Sequence, residues 1–168
     1  MDAALYNARI LRLAASIPHG ARLEQPDASV ERRSPVCGSR VTADVRLGPD
    51  GRIIAFGQLV RACALGQASA AIMAGNVIGR TGGELADAAD ALAGWLKGDA
   101  PLPALLQGGW PELALFAPAR AYAARHPSIL LAFQAAAAAA EAAALKGAGG
   151  AALKGAGGAD AAALTGAV

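Results

Sequence analysis

The sequence predicts an α+β domain, because a β-hairpin pattern stands between segments with helical spacing. Residues 39–47 alternate strictly, and apolar side chains such as Val41 and Val45 fall on one face. This period of two is typical of an antiparallel strand with one buried face. The segment 48–51, GPDG, has turn composition, and residues 52–60 return as the partner strand. The polar side chains of the first strand share its solvent-facing side: Arg40, Thr42, Asp44 and Arg46.

A helix and a further strand are predicted before this hairpin. Residues 2–17 carry apolar side chains at helical spacing, with Asp2 available as the N-terminal cap and Pro18 as the stop. Residues 18–28 are a polar loop, and residues 29–34 are a candidate short strand.

Helices are predicted after the hairpin. Residues 64–79 read as a helix of small residues that can pack closely on the sheet. Thr81 and Glu84 have the spacing of a capping box for the next helix. Residues 98–111 are expected to form a loop. Pro127 fits the first turn of the final helix, where a missing N–H costs nothing.

Composition divides the chain into two parts. Hydrophobic residues make up 55% of the chain and aromatic residues only 4%, so we expect an aliphatic core within residues 1–143. Beyond them, ALKGAGGA occurs at 144–151 and again at 152–159. Because such repeats supply little apolar surface, we expect residues 144–168 to form a disordered tail.

Charge and hydropathy exclude two classes of partner. The formal charge is +2, and the basic residues are scattered along the sequence, so we expect no nucleic-acid binding. Residues 128–145 are apolar, but Gln134, Glu141 and the weak hydrophobicity of alanine favour a soluble helix without membrane insertion. Residues 1–20 lack a signal-peptide pattern. We therefore expect a cytoplasmic protein with reduced thiols.

Two cysteines, Cys37 and Cys63, flank the predicted hairpin. Cys37 lies just before the first strand, and Cys63 lies just after the second, at a predicted helix start. Antiparallel pairing through the turn brings residues 39 and 60 to the same end of the hairpin. We therefore expect the two thiols to lie side by side in space.

Two interpretations of this pair stay open. A free cysteine is usually a small buried hydrophobic residue, whereas paired thiolates are soft ligands suited to zinc or iron. Because a helix N-terminus favours an anion, Cys63 is expected to be the more thiolate-like of the two. Gly38 would permit a tight backbone turn beside a bound metal. A disulfide between Cys37 and Cys63 is not expected in a reducing compartment.

The order of these motifs resembles the IscU/NifU-type iron–sulfur cluster assembly scaffolds, which include NifU N-terminal and SufU-like proteins. The matching segments, within residues 3–140, are YNARILRLA, SPVCGSRV, GRIIAFGQLVRACALGQASAAIMA and RHPSILLAF. The resemblance implies an α/β (α+β) fold, with a small, mainly antiparallel three-stranded sheet and helices packed over one face.

The resemblance also implies a site. Cys37 and Cys63 match the first two family cysteines, while Ser39 stands where the family has an aspartate. His126 matches a family histidine, and Pro127 replaces the third cysteine. The candidate metal ligands are thus Cys37, Cys63 and His126, with Ser39 also in the cofactor-binding set. The implied cargo is iron or a [2Fe–2S] cluster, with zinc as the alternative.

Three functions follow from this resemblance, and none of them is an enzyme. The first is a cluster assembly scaffold or carrier that serves a cysteine desulfurase and cluster-acceptor proteins. The second is a zinc-binding sulfur acceptor for the desulfurase. The third is a non-catalytic module that binds an assembly partner through a fold whose site is degraded. Because Pro127 replaces the cysteine that accepts sulfur in the family, this protein would have to receive sulfur on Cys37 or Cys63, or not at all.

Overall fold

The computed structural model describes residues 3–163 of the chain. The strands are β1 (Ala28–Arg33), β2 (Arg40–Leu47) and β3 (Ile53–Arg61). The α-helices are α1 (Ala8–Ala15), α2 (Ala64–Gly75), α3 (Gly82–Lys97), α4 (Ala104–Gly109) and α5 (His126–Ala163). Helices pack on one antiparallel sheet, which confirms the predicted α+β class.

The sheet has the order β1-β2-β3, and both of its pairings are antiparallel. The predicted hairpin is therefore confirmed. Its turn uses Gly51 at a φ of 76°, a left-handed conformation that glycine adopts without strain. Val41 lies opposite Val60, and Val45 lies opposite Phe56. These apolar positions form the inner face of the sheet, against which α5 packs through β1 and β2.

The first helix starts later than the sequence predicts. It begins at Ala8, with Asn7 as its N-terminal cap, and ends at Ala15 rather than at residue 17. Asn7 Oδ1 accepts hydrogen bonds from the N–H groups of Arg9 and Ile10, both at 3.1 Å. These bonds satisfy donors that a helix start leaves free, so Asn7 sets the boundary. Asp2 lies outside the described residues.

The segment between α3 and α5 is more helical than predicted. The predicted loop 98–111 contains α4, and a 3-10 helix follows at Pro111–Ala121. Leu106 and Trp110 are buried core residues. Because their backbone is buried with them, its polar groups need internal hydrogen bonds, which helical turns supply. The Thr81–Glu84 capping box is present as predicted.

Helix α2 is shorter than the predicted segment 64–79. It ends at Gly75, and the N–H of the capping residue Asn76 donates to the Met73 carbonyl at 3.2 Å. Gly79 then turns the chain at a φ of 84°. This turn directs the chain toward the start of α3.

Helix α5 is the central helix of the fold. Pro127 is its second residue, as predicted, and Ile129 and Phe133 are buried against the core. The helix continues through the predicted boundary at residue 143 to Ala163. Up to residue 150, Ala143 is its last buried residue. The division into a domain and a disordered tail stays a prediction, and residues 164–168 lie outside the described part.

Within the described residues, one helical stretch is long and apolar enough to cross a membrane. It is Ala123–Gly150, and an 18-residue window within it has a mean hydropathy of 1.6 and is 67% buried inside the fold. A core helix of a globular domain meets the same criteria of length and composition. The burial therefore accounts for the apolar character of α5 without a bilayer.

Candidate functional site

Cys37 stands at the tip of a tight loop between β1 and β2. The loop is closed by the Ser34 N–H, which donates to the Ser39 carbonyl at 2.8 Å. Gly38 reverses the chain at a φ of 69°, and no atom lies within 4 Å of the Cβ it lacks. Conformation, and not space, therefore calls for glycine there. The loop leaves Cys37 exposed.

Serine hydroxyls surround the Cys37 sulfur. Its Sγ lies 3.2 Å from Ser34 Oγ and 3.0 Å from Ser39 Oγ. Both serines are buried, so the hydroxyls are held in place beneath an exposed thiol. When the thiol ionises, each hydroxyl can donate a hydrogen bond to the thiolate.

These contacts lower the pKa of Cys37 to about 7. Hydrogen bonding to Ser34 is the largest cause, hydrogen bonding to Ser39 is the next, and partial burial opposes them. A thiol with this pKa is about half ionised at neutral pH, and the thiolate is the nucleophile and metal ligand. The Cys37 side chain is therefore both accessible and activated.

Cys63 reaches the same place from the other end of the hairpin. It is the N-terminal cap of α2, and its side chain makes no capping hydrogen bond. Its Sγ lies 3.3 Å from Ser128 Oγ on α5, which in turn lies 3.5 Å from Ser39 Oγ. Both cysteines are free thiols. The predicted convergence of Cys37 and Cys63 is therefore present, with Ser39 and Ser128 between them.

We call this group the thiol–hydroxyl cluster, and its members come from the β1–β2 loop, the start of α2 and the start of α5: Ser34, Cys37, Ser39, Cys63 and Ser128. Sequence reasoning named three of the five. The two omitted serines have ordinary sequence signals. Ser34 stands three residues before Cys37, as in a side-chain-stabilised turn, and Ser128 lies in the first turn of the last helix.

The expectation that Cys63 would be the more thiolate-like cysteine is not supported by its contacts. It rested on a helix N-terminus, but the Cys63 side chain makes no hydrogen bond to the N–H groups there. The activated thiol is Cys37, whose hydroxyl partners come from a folded loop.

His126 lies away from the cluster. Its Nε2 is 3.0 Å from the Ala119 carbonyl, which can only accept, so Nε2 is the donor in this hydrogen bond. The buried ring lines a separate cavity of about 400 Å³ with Lys97 and Arg120. Pro127 lines that cavity too.

Helical geometry explains this separation. Successive residues of an α-helix are about 100° apart, so positions 126 and 128 point in nearly opposite directions. Ser128 faces the thiols, and His126 faces the Ala119 side. The α5 side chain that reaches the cysteines is therefore Ser128. A ligand role for His126 stays a prediction.

The packing of α2 on α5 is unusually close beside the cluster. A Cβ at Gly66 would lie 2.5 Å from Ser128 Oγ and 2.7 Å from Ala62 Cβ. One turn further along α2, Ser69 Oγ donates to the Ile129 carbonyl at 2.5 Å. Glycine and serine thus hold the two helices at the distance that lets Ser128 touch Cys63.

The donor set of the cluster is two thiols and three hydroxyls. In the part of the chain that the structure describes, no three His, Cys, Asp or Glu side chains are grouped so that they could hold a metal ion. Thiolates are soft ligands that suit iron and zinc. The cluster therefore offers part of a metal coordination sphere from one chain.

Searches of protein-family models and of curated proteins found no match. Among solved structures, the chain is similar to a nitrogen-fixing NifU-like protein (N-terminal) from Brucella abortus. The two share 41% identity over 86% of this chain and 97% of that chain, with a TM-score of 0.78. A protein assigned to iron–sulfur cluster assembly scaffolding in the SUF system of Fervidobacterium islandicum AW-1 shares the fold. Its identity is 18% over 83% of this chain and 99% of that chain, and the TM-score is 0.72.

These likenesses define the class of the protein as NifU-like. With 41% identity over nearly the full length of the Brucella protein, the chain belongs to the IscU/NifU-type family, as the sequence motifs indicate. The expected three-stranded antiparallel sheet with helices is likewise confirmed.

Proposed function

We propose that this protein is an iron–sulfur cluster assembly scaffold or carrier. Its cargo would be iron or a transient [2Fe–2S] cluster, held at the thiol–hydroxyl cluster. The observation that carries the proposal is the convergence of Cys37 and Cys63 on Ser128 in a NifU-like fold. An accessible site suits cargo that is received from one protein and passed to another, and Cys37 is exposed.

The ligands proposed for the cargo are Cys37 and Cys63, with Ser39 and His126 as further candidates. A [2Fe–2S] cluster takes four protein ligands, so two thiolates leave two positions to fill. Ser39 is already in contact with Cys37. His126 could offer only Nδ1 while Nε2 stays on the Ala119 carbonyl. A second chain or an acceptor protein is another source of ligands.

We place the entry of sulfur on Cys37. Its exposed thiolate would attack the terminal sulfur of a persulfide on a cysteine desulfurase. The S–S bond of that persulfide breaks, a new S–S bond forms on Cys37, and the desulfurase cysteine leaves as a thiolate. The transferred sulfur keeps its hydrogen, so no oxidant or reductant is required.

A zinc-binding sulfur acceptor is the second candidate function. The Cys37 pKa of about 7 favours it, because such a thiol both coordinates zinc and accepts sulfur. In either case the protein would be a cytoplasmic, non-enzymatic partner of a cysteine desulfurase. Cluster-acceptor proteins are partners in the first case only.

Metal and acid-labile sulfide content, with a visible spectrum, tests the proposal on protein purified without oxygen. We expect iron, sulfide and a charge-transfer band that are lost in Cys37→Ala and in Cys63→Ala. Zinc without colour would favour the sulfur acceptor. Neither metal, even after reconstitution with iron and sulfide, would contradict both candidates and leave the partner-binding module.

Two histidine variants test whether His126 is a metal ligand. His126→Asn should lower iron content if Nδ1 is a ligand. His19→Asn is the control, because asparagine tolerates the positive φ of 54° at that position and His19 lies in a loop. Equal iron content in both variants would remove His126 from the ligand set.

A further inference from the structure

Three arginines stand side by side at the thiol end of the sheet. The register pairs Arg33 of β1 with Arg40 of β2, and Arg40 with Arg61 of β3. We call these residues the arginine row. Directly paired residues share one face of a sheet, about 5 Å apart. Arg33 and Arg40 flank the Cys37 loop, and Arg61 precedes Cys63 by two positions.

The middle of the outer face is covered, but the arginine row is not. The loop before β1 crosses the middle of the sheet, where a Cβ at Gly57 would lie 2.4 Å from the Ala21 carbonyl. Gly57 pairs with Asp44, which binds Arg22 of that loop. By contrast, Arg33 and Arg61 are exposed and Arg40 is partly exposed.

The row carries unbalanced positive charge. Arg33 is paired with Glu31, at 2.6 Å from Nε to Oε1, and the charge of Arg40 also acts on that carboxylate. Among the described residues, Arg61 makes no ion pair and no side-chain hydrogen bond. Like charges directly opposite in a sheet are destabilising. Carboxylates from outside would relieve this repulsion.

The row borders a cavity of a size and chemistry that suit carboxylate side chains. The cavity has a volume of about 240 Å³, and its lining residues are Arg22, Glu31, Arg40, Thr42, Leu59 and Arg61. A guanidinium presents a planar fork that matches a carboxylate with two parallel hydrogen bonds. Leu59, 44% exposed, adds an apolar contact.

We propose that the arginine row and this cavity dock an acidic segment of a partner protein beside the thiol–hydroxyl cluster. The row spans three strands, or about 10 Å, which fits two or three carboxylates. A nucleic acid fits less well, because its binding depends on many phosphate contacts and the row is short. The existence of the surface is independent of the cargo. Only the idea that this partner exchanges cargo with Cys37 rests on the proposed function.

Binding of a short fluorescent oligoglutamate peptide to the full chain, at low salt, tests this surface. We expect Arg40→Gln with Arg61→Gln to weaken binding about tenfold. The matched control is Arg12→Gln with Arg46→Gln, which removes the same charge from exposed positions elsewhere and should change binding less than about twofold. Absence of peptide binding, or equal weakening in both double variants, would overturn the proposal.

Two further measurements separate the alternatives. A single-stranded DNA oligonucleotide that binds more tightly than the peptide, with the same dependence on Arg40 and Arg61, would assign the surface to nucleic acid and overturn the proposal. Iron and sulfide content should be unchanged by the row substitutions. The protein can therefore bind the peptide without binding iron and sulfide, or bind iron and sulfide without binding the peptide. The two results distinguish failure of the docking surface from failure of the proposed function. Thermal unfolding of both double variants should show intact folds.

Discussion

Strand β2 offers a comparison between its covered middle, where an ionisable group is buried, and the open region just before the strand, where one is exposed. In the middle, the Asp44 carboxylate is fully buried, and Arg22 and the Leu23 N–H bind it. Just before the strand begins, the Cys37 thiol is exposed and rests on two buried hydroxyls. Both groups have a lowered pKa.

The two lowered pKa values have different consequences for the protein. Asp44 holds the loop before β1 onto the sheet, so its ionised form stabilises the fold. Cys37 is exposed on a loop, so its ionised form is available for chemistry. Substitutions at the two places should therefore affect stability and reactivity separately.

Arg22→Gln should have the largest effect on stability. Arg22 Nε lies 2.6 Å and Nη2 3.0 Å from the Asp44 oxygens. Its loss leaves a buried carboxylate without its cation, which lowers the free energy of unfolding by about 2–3 kcal/mol. This is below the full cost for a buried pair, because Arg22 is half-exposed.

Urea unfolding at neutral pH measures this change. Arg46→Gln is the control, because Arg46 lies on the same face of β2 as Asp44. Its free energy of unfolding should stay within about 0.5 kcal/mol of the wild-type value. The alkylation rate of Cys37 should be the same in all three proteins. If Arg22→Gln slows or speeds that reaction without unfolding the chain, the two regions are coupled and the comparison fails.

Gly66→Ala should disturb the start of α2 by a somewhat smaller amount. The new Cβ would meet Ser128 Oγ and Ala62 Cβ, so α2 and α5 must move apart at a cost of about 1–3 kcal/mol. Gly75→Ala is the matched control in the same helix, because no atom lies within 4 Å of its added Cβ. It should be neutral or stabilise by up to about 1 kcal/mol.

A thermal melt compares the two glycine variants, and iron content reads the site. Gly66→Ala should lower iron content, since it separates Ser128 from Cys63, while Gly75→Ala should not. Equal melting temperatures for both variants would show that the close approach at Gly66 does not hold the helices in place.

Features set by residues close together in the chain can be predicted from the sequence. Features set by contacts between distant segments cannot. Strict alternation is enough to predict β2, and antiparallel pairing is enough to bring Cys37 and Cys63 together. Asp44 was expected on a solvent-facing side, because the loop that covers it packs through contacts distant in sequence. The resemblance predicts His126 as a ligand, and this stays a prediction; the α5 side chain that the structure shows against Cys63 is Ser128, a contact that local sequence patterns do not indicate.

The arginine row shows the same limit. Its residues are scattered in the sequence, so composition indicated no basic cluster, and only the strand register brings them together. Periodicity predicts which face a residue occupies. It does not predict which residues of other strands stand beside it, or which loop covers them.

The loss of stability at acidic pH should depend on Asp44. Burial, the largest single influence, raises the pKa of Asp44, but hydrogen bonds from Arg22, Ser29 and the Leu23 N–H, together with the Arg22 charge, outweigh it. The pKa is thus lower in the folded state than the ordinary 3.8. The contribution to stability is present above that ordinary value and is lost as the pH falls through the lower, folded-state value.

Unfolding free energies from neutral pH down to about pH 3 test this dependence. The wild type should lose more stability below about pH 4 than Asp44→Asn, which has no carboxylate to protonate there. Parallel curves for the two proteins would mean that other carboxylates carry the acid sensitivity, and that Asp44 does not stabilise the fold through its charge.

The smallest effect is expected at Cys37, and it should appear in reactivity and not in stability. In a Cys63→Ala background, the rate of alkylation by iodoacetamide should rise with pH and level off above a midpoint of about 7. Ser39→Ala removes one hydroxyl that stabilises the thiolate and should move this midpoint upward by up to about one unit. Ser16→Ala is the control, since that exposed serine is the C-terminal cap of α1 and its hydroxyl donates to the Arg12 carbonyl. An unchanged midpoint in Ser39→Ala would assign the activation to Ser34, with the Ser39 backbone and Ser128 as the lesser contributors. A midpoint near 9 in the parent would show that the loop does not activate Cys37, and would remove the reason for placing sulfur entry there.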